Sequence, residues 1–166
     1  MRIIQGLIVL TICAAFAAAD EPTTQPANTK TFTSWQAMYR EVPEELRPAD
    51  VSKITDLQMD VINGVLVEKV VNHRARLRTR VRLIEVTAGG RYAGMPRIVG
   101  EYERSAGVKV ATVFYFPDTE ESKRLLVGLN KGDVVIGSGD ISEVGFDRRE
   151  GVRFMVRVVN TQLEKK

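Results

Sequence analysis

The segment GLNKGDVVIGSGDIS, residues 128–142, has the composition of a loop that could bind a phosphate group. Its four glycines flank a short apolar run, and Lys131 directly precedes Gly132. A P-loop, however, ends in Gly-Lys-Ser/Thr and leads into a helix, and a dinucleotide-binding loop also places its glycines before a helix. Here a strand pattern follows instead. We therefore expect Gly137 and Gly139 to let a strand bend or another backbone approach closely, without binding phosphate.

Histidine and cysteine, which most often serve in acid–base, nucleophilic and transition-metal chemistry, are scarce in this sequence. His73 is the one histidine and Cys13 the one cysteine, which excludes metal sites built from several imidazoles or thiolates. The adjacent carboxylates at 44–45 and 120–121 lie at expected helix starts, where negative charge is favourable for the helix dipole. The sequence therefore predicts no catalytic residue, no metal site, no cofactor and no enzyme activity.

A row of arginines is the most periodic feature of the chain. In RARLRTRVRL the arginines alternate with smaller or apolar residues, which predicts a strand with one buried face and one arginine face. Like charges on one strand face repel each other unless they are paired. Glu101 and Glu103 on the next predicted strand can pair with only some of them. We expect a ladder of ion pairs between the two strands. The arginines that are left without a carboxylate could bind an acidic partner or an anionic polymer. The row consists of Arg74, Arg76, Arg78, Arg80 and Arg82.

The second half of the chain contains three strand patterns, a helix pattern and two further strand patterns. In the first strand, Leu83 and Ile84 interrupt the alternation, which predicts a bulge that bends the strand. The segments RIVGEYER and VKVATVFYF follow as the second and third strands, and a helix begins after Pro117. The segments VVIGSGDIS and VRFMVRVVNTQL supply the last two strands. This order predicts a mainly β protein, an OB-fold barrel of five strands.

Two segments also resemble a known family. LNKGDVVIGSGDIS and RFMVRVVNTQLEKK are similar to the second half of exported bacterial OB-fold proteins related to the anticodon-binding-like group. In that family a Lys-Gly-Asp step leads from the helix into the fourth barrel strand, and a glycine follows a few residues later. The resemblance covers roughly residues 71–163 and implies the fold rather than a ligand.

OB-folds generally bind ligands on barrel strands 2 and 3, between the loops that join strands 1–2 and strands 4–5. Here those loops are TAGGRYAGMPR and SEVGFDRREG. Arginines combined with aromatic side chains form surfaces that stack on bases and contact phosphates. The candidate ligand-binding residues on these loops and strands are Arg91, Tyr92, Arg97, Tyr102, Lys109, Tyr115, Phe146, Arg148 and Arg149.

The first residues have the pattern of a cleaved secretory signal. Arg2 is followed by an apolar run and by three alanines before Asp20, so we expect cleavage near Ala19 and no membrane segment in the mature chain. Residues 20–33 are polar with two prolines, which predicts a flexible linker. We expect residues 34–70 to be a helical extension packed on the barrel, and residues 71–166 to be the OB-fold domain.

Within the extension, the spacing of apolar residues predicts a helix that ends near Val70. The pair Asn63-Gly64 argues against it, because that pair is also typical of a hairpin turn. The broad apolar face expected for the helix consists of Ile54, Leu57, Val61, Ile62, Val65 and Leu66.

Charge and composition limit the functions to consider. Removal of residues 1–19 lowers the formal net charge from +3 to +2, because Arg2 is the only charge removed, so binding to a polyanion would have to be local. We expect an exported, periplasmic or secreted, non-enzymatic binding or interaction module. One alternative binds oligonucleotides or acidic glycans through the two loops. Another is a structural subunit of an envelope protein complex.

Overall fold

Six strands form one sheet in a computed structural model that describes residues 29–89, 94–105, 108–148 and 151–165. The predicted signal, most of the predicted linker and the candidates Arg91, Tyr92 and Arg149 lie outside these residues. The strands are β1 Thr31–Phe32, β2 Arg76–Thr87, β3 Arg97–Ser105, β4 Val108–Tyr115, β5 Val134–Asp147 and β6 Arg153–Lys165.

The sheet closes into a five-stranded barrel. Its order is β1-β2-β3-β4-β6-β5, and β5 also pairs with β2, which brings the two ends of the sheet together. The neighbouring strands of the barrel are antiparallel except β4 and β6, which are parallel. Helix α3, Glu120–Val127, connects the third and fourth barrel strands. This is the OB-fold that the order of sequence patterns predicts.

Strand β2 alternates as its sequence predicts. Its side chains at every second position from Leu77 to Leu83 are buried, whereas Arg78, Arg80 and Arg82 are exposed. The pairing with β3 shifts register between Leu83 and Glu85, which confirms the expected bulge. Because the strand bends there, its first half pairs with β5 and its second half with β3.

Arg74 is not part of this strand, which corrects the predicted row of five. The residue lies in a turn before β2 and has a φ of 52°, in the left-handed region. A side chain in such a turn does not follow the two-residue alternation of a strand. The row on β2 therefore begins at Arg76.

The glycines of β5 make close packing possible. A Cβ at Gly139 would lie 2.5 Å from the carbonyl oxygen of Val159, and one at Gly137 would lie 2.5 Å from the ring of Phe114. Phe114 is fully buried inside the barrel. The stretch is thus a bent strand with close backbone and ring contacts, as predicted, and a strand rather than a helix follows its Lys-Gly step.

Two α-helices, one π-helical turn and two 3₁₀ turns precede the barrel in the described residues. Helix α1, Trp35–Tyr39, begins after Ser34, whose hydroxyl accepts a hydrogen bond from the Ala37 amide. Helix α2, Asp56–Leu66, begins with a capping box between Thr55 and Gln58 and continues into a π-helical turn, Val67–Val71. Short 3₁₀ turns at Glu44–Leu46 and Val51–Lys53 lie between them.

The face of α2 that packs on the barrel differs from the expected one. Met59, Ile62 and Leu66 are buried, but Leu57 is 75% exposed and Val61 is 45% exposed. Asn63 lies within the helix, so the Asn63-Gly64 pair does not form the hairpin turn of which it is typical. The Asn63 side chain accepts a hydrogen bond from the Phe146 amide at 2.7 Å and donates one to the Phe146 carbonyl at 3.0 Å. The amide thereby ties the helix to β5.

Aromatic rings join the extension to the barrel. The ring of Trp35 lies 5.5 Å from that of Phe154, and the ring of Tyr39 lies 5.7 Å from that of Phe146. The prediction of a flexible linker up to residue 33 is wrong at its end, because Thr31 and Phe32 pair with β2 and Phe32 is buried. In the described part of the chain, no helix is long and apolar enough to span a membrane.

Candidate anion-binding surface

Four arginines of β2 point to the outside of the barrel, and we call them the arginine face: Arg76, Arg78, Arg80 and Arg82. At one end of the row, Nε of Arg76 lies 3.2 Å from Oδ1 of Asp140 on β5. Next to it, an Nη of Arg78 lies 2.8 Å from Oε2 of Glu164 on β6. This half of the arginine face is therefore neutralised by carboxylates on neighbouring strands.

The other half keeps its positive charge. Arg80 and Arg82 are exposed, and none of the carboxylates among the described residues forms an ion pair with either guanidinium. The pairing register explains why, since the β5 residues opposite them are apolar, Ile136 and Val134. Glu101 is opposite Arg82 on β3, yet no ion pair joins their side chains. The observed pairs of this row join β2 to β5 and β6, and the expected pairing with Glu103 concerns a side chain outside the described part of the structure.

A shallow groove of about 270 Å³ lies beside the paired half of the arginine face. It crosses four adjacent strands, β1, β2, β5 and β6, and hydrogen-bonding side chains line most of it. Gln162 and Ser138 are directly opposite each other in the β5–β6 register. The polar lining residues are Thr31, Arg76, Arg78, Ser138, Gln162 and Glu164.

Asn160 shapes this part of β6. It has a φ of 51°, and its amide donates a hydrogen bond of 2.8 Å to Asp140, the carboxylate that Arg76 also contacts. The β5–β6 register shifts at this point, between Ser138 and Asp140. Asp140 is therefore held from two sides at the edge of the groove.

Four described members of the predicted site lie on the neighbouring strands β3 and β4. Arg97 pairs with Glu85 at 3.0 Å, and Lys109 and Tyr115 are half-buried on β4. Tyr102 belongs to β3. Lys109 also has interactions within the protein. Arg97 and Tyr115 are directly opposite each other in the β3–β4 register. The four residues therefore lie on two adjacent strands, and none of them belongs to β2.

Phe146 and Arg148, two of the candidates near the last loop, contact other parts of the fold. Phe146 is 5% exposed and packs edge-on against Phe154, because β5 runs on to Asp147 and turns this ring into the core. It is a core residue and not a ligand-stacking one. Arg148 donates to the Ile54 carbonyl, and its Nε lies 2.8 Å from Oδ1 of Asp56 at the start of α2.

The polar half of the groove is not among the residues predicted from the sequence. Asn160, Gln162 and Glu164 share the exposed side of β6, alternating with the half-buried Thr161 and Leu163. The same two-residue period that revealed the arginines is present in NTQLEK and could have revealed these residues. Their position beside the arginines depends on the β5–β6 and β2–β5 registers, which no local pattern gives.

A second cavity, of about 330 Å³, lies between α2 and strands β5 and β6. The charged groups that line it are paired: an Nη of Arg157 lies 2.7 Å from Glu143, and Asp147 lies 2.7 Å from an Nη of Arg153, which does not line the cavity. Within the described residues there is also no cluster of histidine, cysteine or carboxylate side chains that could hold a metal ion. The arginine face and its groove are therefore the better candidate for a binding site.

Tyr39 of the extension has a side-chain pKa that differs from its usual value. Burial raises the pKa of Tyr39 above its usual value, and the nearby charge of Arg47 opposes this effect in part. The phenol therefore stays protonated at neutral pH. Its ring contributes to packing against Phe146.

No protein-family model matches the chain, and no curated protein does either. The resemblance to exported anticodon-binding-like proteins therefore stays a prediction. Among solved structures, the chain is similar to the S. pombe Stn1–Ten1 complex, with 13% identity and a TM-score of 0.30 over 55% of this chain and 59% of that chain.

Two further solved structures have similar chains. The mitochondrial single-stranded DNA-binding protein Rim1 of S. cerevisiae is 13% identical, with a TM-score of 0.32 over 55% of this chain and 94% of that chain. A replication factor A related protein from Methanobacterium thermoautotrophicum is 16% identical, with a TM-score of 0.28 over 74% of this chain and 93% of that chain. Likeness at these scores is too distant to indicate a ligand.

Proposed function

We propose that this protein is an exported, non-catalytic OB-fold module that binds an anionic polymer on its arginine face. The observation that carries the proposal is that Arg80 and Arg82 are exposed without an ion pair among the described residues, next to Arg78 on the same strand. A guanidinium is charged at every physiological pH and presents a planar fork that matches carboxylate, sulfate and phosphate groups.

The strand holds these cations in a regular row. Alternate residues of a strand are about 6.6 Å apart along its axis, and β2 is paired on both sides where Arg82 lies. Little conformational entropy of the backbone remains to be lost on binding. A polymer that repeats its negative charge can contact several members of the row, and weak contacts then act together.

The assignment to a binding module without catalysis follows from composition. The chain has one histidine and one cysteine, and the cysteine lies within the predicted signal. Export is proposed from the pattern of residues 1–19, since charged, apolar and small residues succeed one another as in a secretory signal. The loop alternative is less favoured, because Arg148 and Arg97 are engaged by carboxylates and Phe146 is buried.

Retention on heparin–agarose tests the proposal, with the protein recovered from the exported fraction of a bacterial host. Its mass shows whether residues 1–19 have been removed. The double variant Arg80→Ser/Arg82→Ser should elute at clearly lower salt than the parent protein. Salt screens the charge pairs between the protein and heparin, and the variant has lost two of the arginines that form them.

Arg40→Ser/Arg124→Ser is the matched control, since it removes the same charge from an exposed position directly after α1 and from one on α3. It should elute close to the parent protein. Equal elution of the two double variants would show that only net charge matters. A parent protein that is not retained at low salt would refute anionic-polymer binding, and an intact N-terminus would refute export by cleavage.

A further inference from the structure

We propose that the polymer is an acidic polysaccharide, with the hydroxyl edge of a sugar ring in the groove and the charged groups of the polymer on Arg80 and Arg82. This inference rests on the proposed function and adds the chemical class of the ligand. It concerns the surface formed by β1, β2, β5 and β6, where a cationic half and a hydrogen-bonding half adjoin.

The groove offers both donors and acceptors in a small space. Its volume of about 270 Å³ lies just below the range of about 300–1,000 Å³ for drug-sized ligands, so it suits one ring. Gln162 and Glu164 can accept hydrogen bonds from hydroxyl groups, and Ser138 can donate or accept. A sugar ring presents several hydroxyls that match this mixed lining.

Glu164 also disfavours a phosphate in the same place. Its carboxylate lies on the groove and pairs with Arg78, so the local charge is close to neutral. A phosphate group presents acceptors and negative charge at physiological pH, and the carboxylate would repel it. Neutral hydroxyls meet no such penalty. The arrangement therefore suits a polymer with neutral polar groups between its charges.

The same surface lacks a platform for nucleic-acid bases. Proteins that bind single-stranded nucleic acid generally stack bases on exposed aromatic side chains. The four strands of this surface contain three aromatic residues, and each of them is buried in the core: Phe32, Phe146 and Phe154. An oligonucleotide could contact the arginines here by charge alone.

Affinity measurements with three probes test the ligand class. Polygalacturonate carries one carboxylate per ring, oligo(dT) is a nucleic acid of similar charge repeat, and dextran is a neutral polysaccharide. Titrations by calorimetry in calcium-free buffer at low salt should show tightest binding to polygalacturonate, weaker binding to oligo(dT) and none to dextran.

A charge-neutral variant in the groove separates the two halves of the surface. Gln162→Ala should weaken polygalacturonate binding about fivefold, as expected for one lost hydrogen bond, and leave oligo(dT) binding unchanged. Arg80→Ser/Arg82→Ser should weaken binding to both polymers. Gln162 is exposed, so the variant is expected to fold, and its thermal midpoint provides the check.

The outcomes distinguish this inference from the proposed function. If oligo(dT) binds as tightly as polygalacturonate, or if Gln162→Ala affects neither polymer, the polysaccharide assignment is overturned while binding of an anionic polymer stands. If folded protein binds neither charged polymer at low salt, both proposals fall. Tight binding of dextran would show that the arginines are not the basis of recognition.

Discussion

At the scale of single residues, two glycines differ in whether their surroundings leave room for a side chain. Gly139 faces the backbone of β6 so closely that a Cβ would lie 2.5 Å from the Val159 oxygen. Gly64 is exposed in α2, and nothing lies within 4 Å of its Cβ position. The first glycine is required by a close approach. The second carries only the entropic cost of glycine in a helix.

The substitution to alanine should therefore change stability in opposite directions at these two positions. Gly139→Ala should lower the free energy of unfolding by about 1–3 kcal/mol, because paired strands must separate to admit the methyl group. Gly64→Ala should raise it by about 0.5–1 kcal/mol through helix propensity. Urea unfolding at one pH measures both. A neutral effect of Gly139→Ala would contradict the close contact between β5 and β6.

At the scale of elements, α2 shows which part of a helix can be predicted and which part cannot. The existence of the helix follows from local spacing, and Thr55 with Gln58 marks its start. Its rotation about its own axis depends on the barrel surface beneath it. The Asn63 amide binds the backbone of Phe146, which turns Leu57 toward solvent and Ile62 into the core.

Alanine substitutions on α2 should reveal this rotation. Ile62→Ala should cost about 2–5 kcal/mol, because the side chain is fully buried and leaves a cavity. Leu57→Ala should stay within about 0.5 kcal/mol, since its side chain is 75% exposed. Thermal or urea unfolding of the two variants provides the comparison. Similar losses at both positions would mean that another surface covers Leu57.

For the barrel strands, local patterns carried more information. The alternation on β2 and the two adjacent apolar residues at its bulge could be read directly, because the strand period is a property of neighbouring residues. The partners of the arginines could not be predicted. Asp140 and Glu164 reach Arg76 and Arg78 through strand registers that join residues far apart in the chain.

Two of the loop candidates have partners elsewhere in the fold, again through contacts that are distant in sequence. Arg148 pairs with Asp56, which is on the extension rather than on the barrel. Phe146 looked like a loop aromatic, yet β5 continues to Asp147 and the ring enters the core beside Phe154. A residue near the end of a strand can be assigned to surface or core only when the packing partner is known.

At the scale of the whole molecule, the extension and the barrel share one hydrophobic core. Trp35 and Met38 of α1, Ile62 of α2 and Phe154 of β6 belong to the same cluster of buried residues. A boundary at residue 70 therefore divides the sequence by secondary structure. The core itself continues across it, so we expect the two parts to stabilise each other.

One unfolding experiment can measure this coupling without any variant. Trp35 is the only tryptophan and lies on the extension, whereas far-UV circular dichroism reports on the secondary structure of both the extension and the barrel. If the core is cooperative, the two signals should follow one transition with the same urea midpoint. The contact of the Trp35 ring with Phe154, 5.5 Å between centroids, gives the physical link, since loss of the barrel exposes the indole at once. A tryptophan transition at lower urea than the dichroism transition would show that the extension unfolds by itself, and the barrel would then be an independent domain.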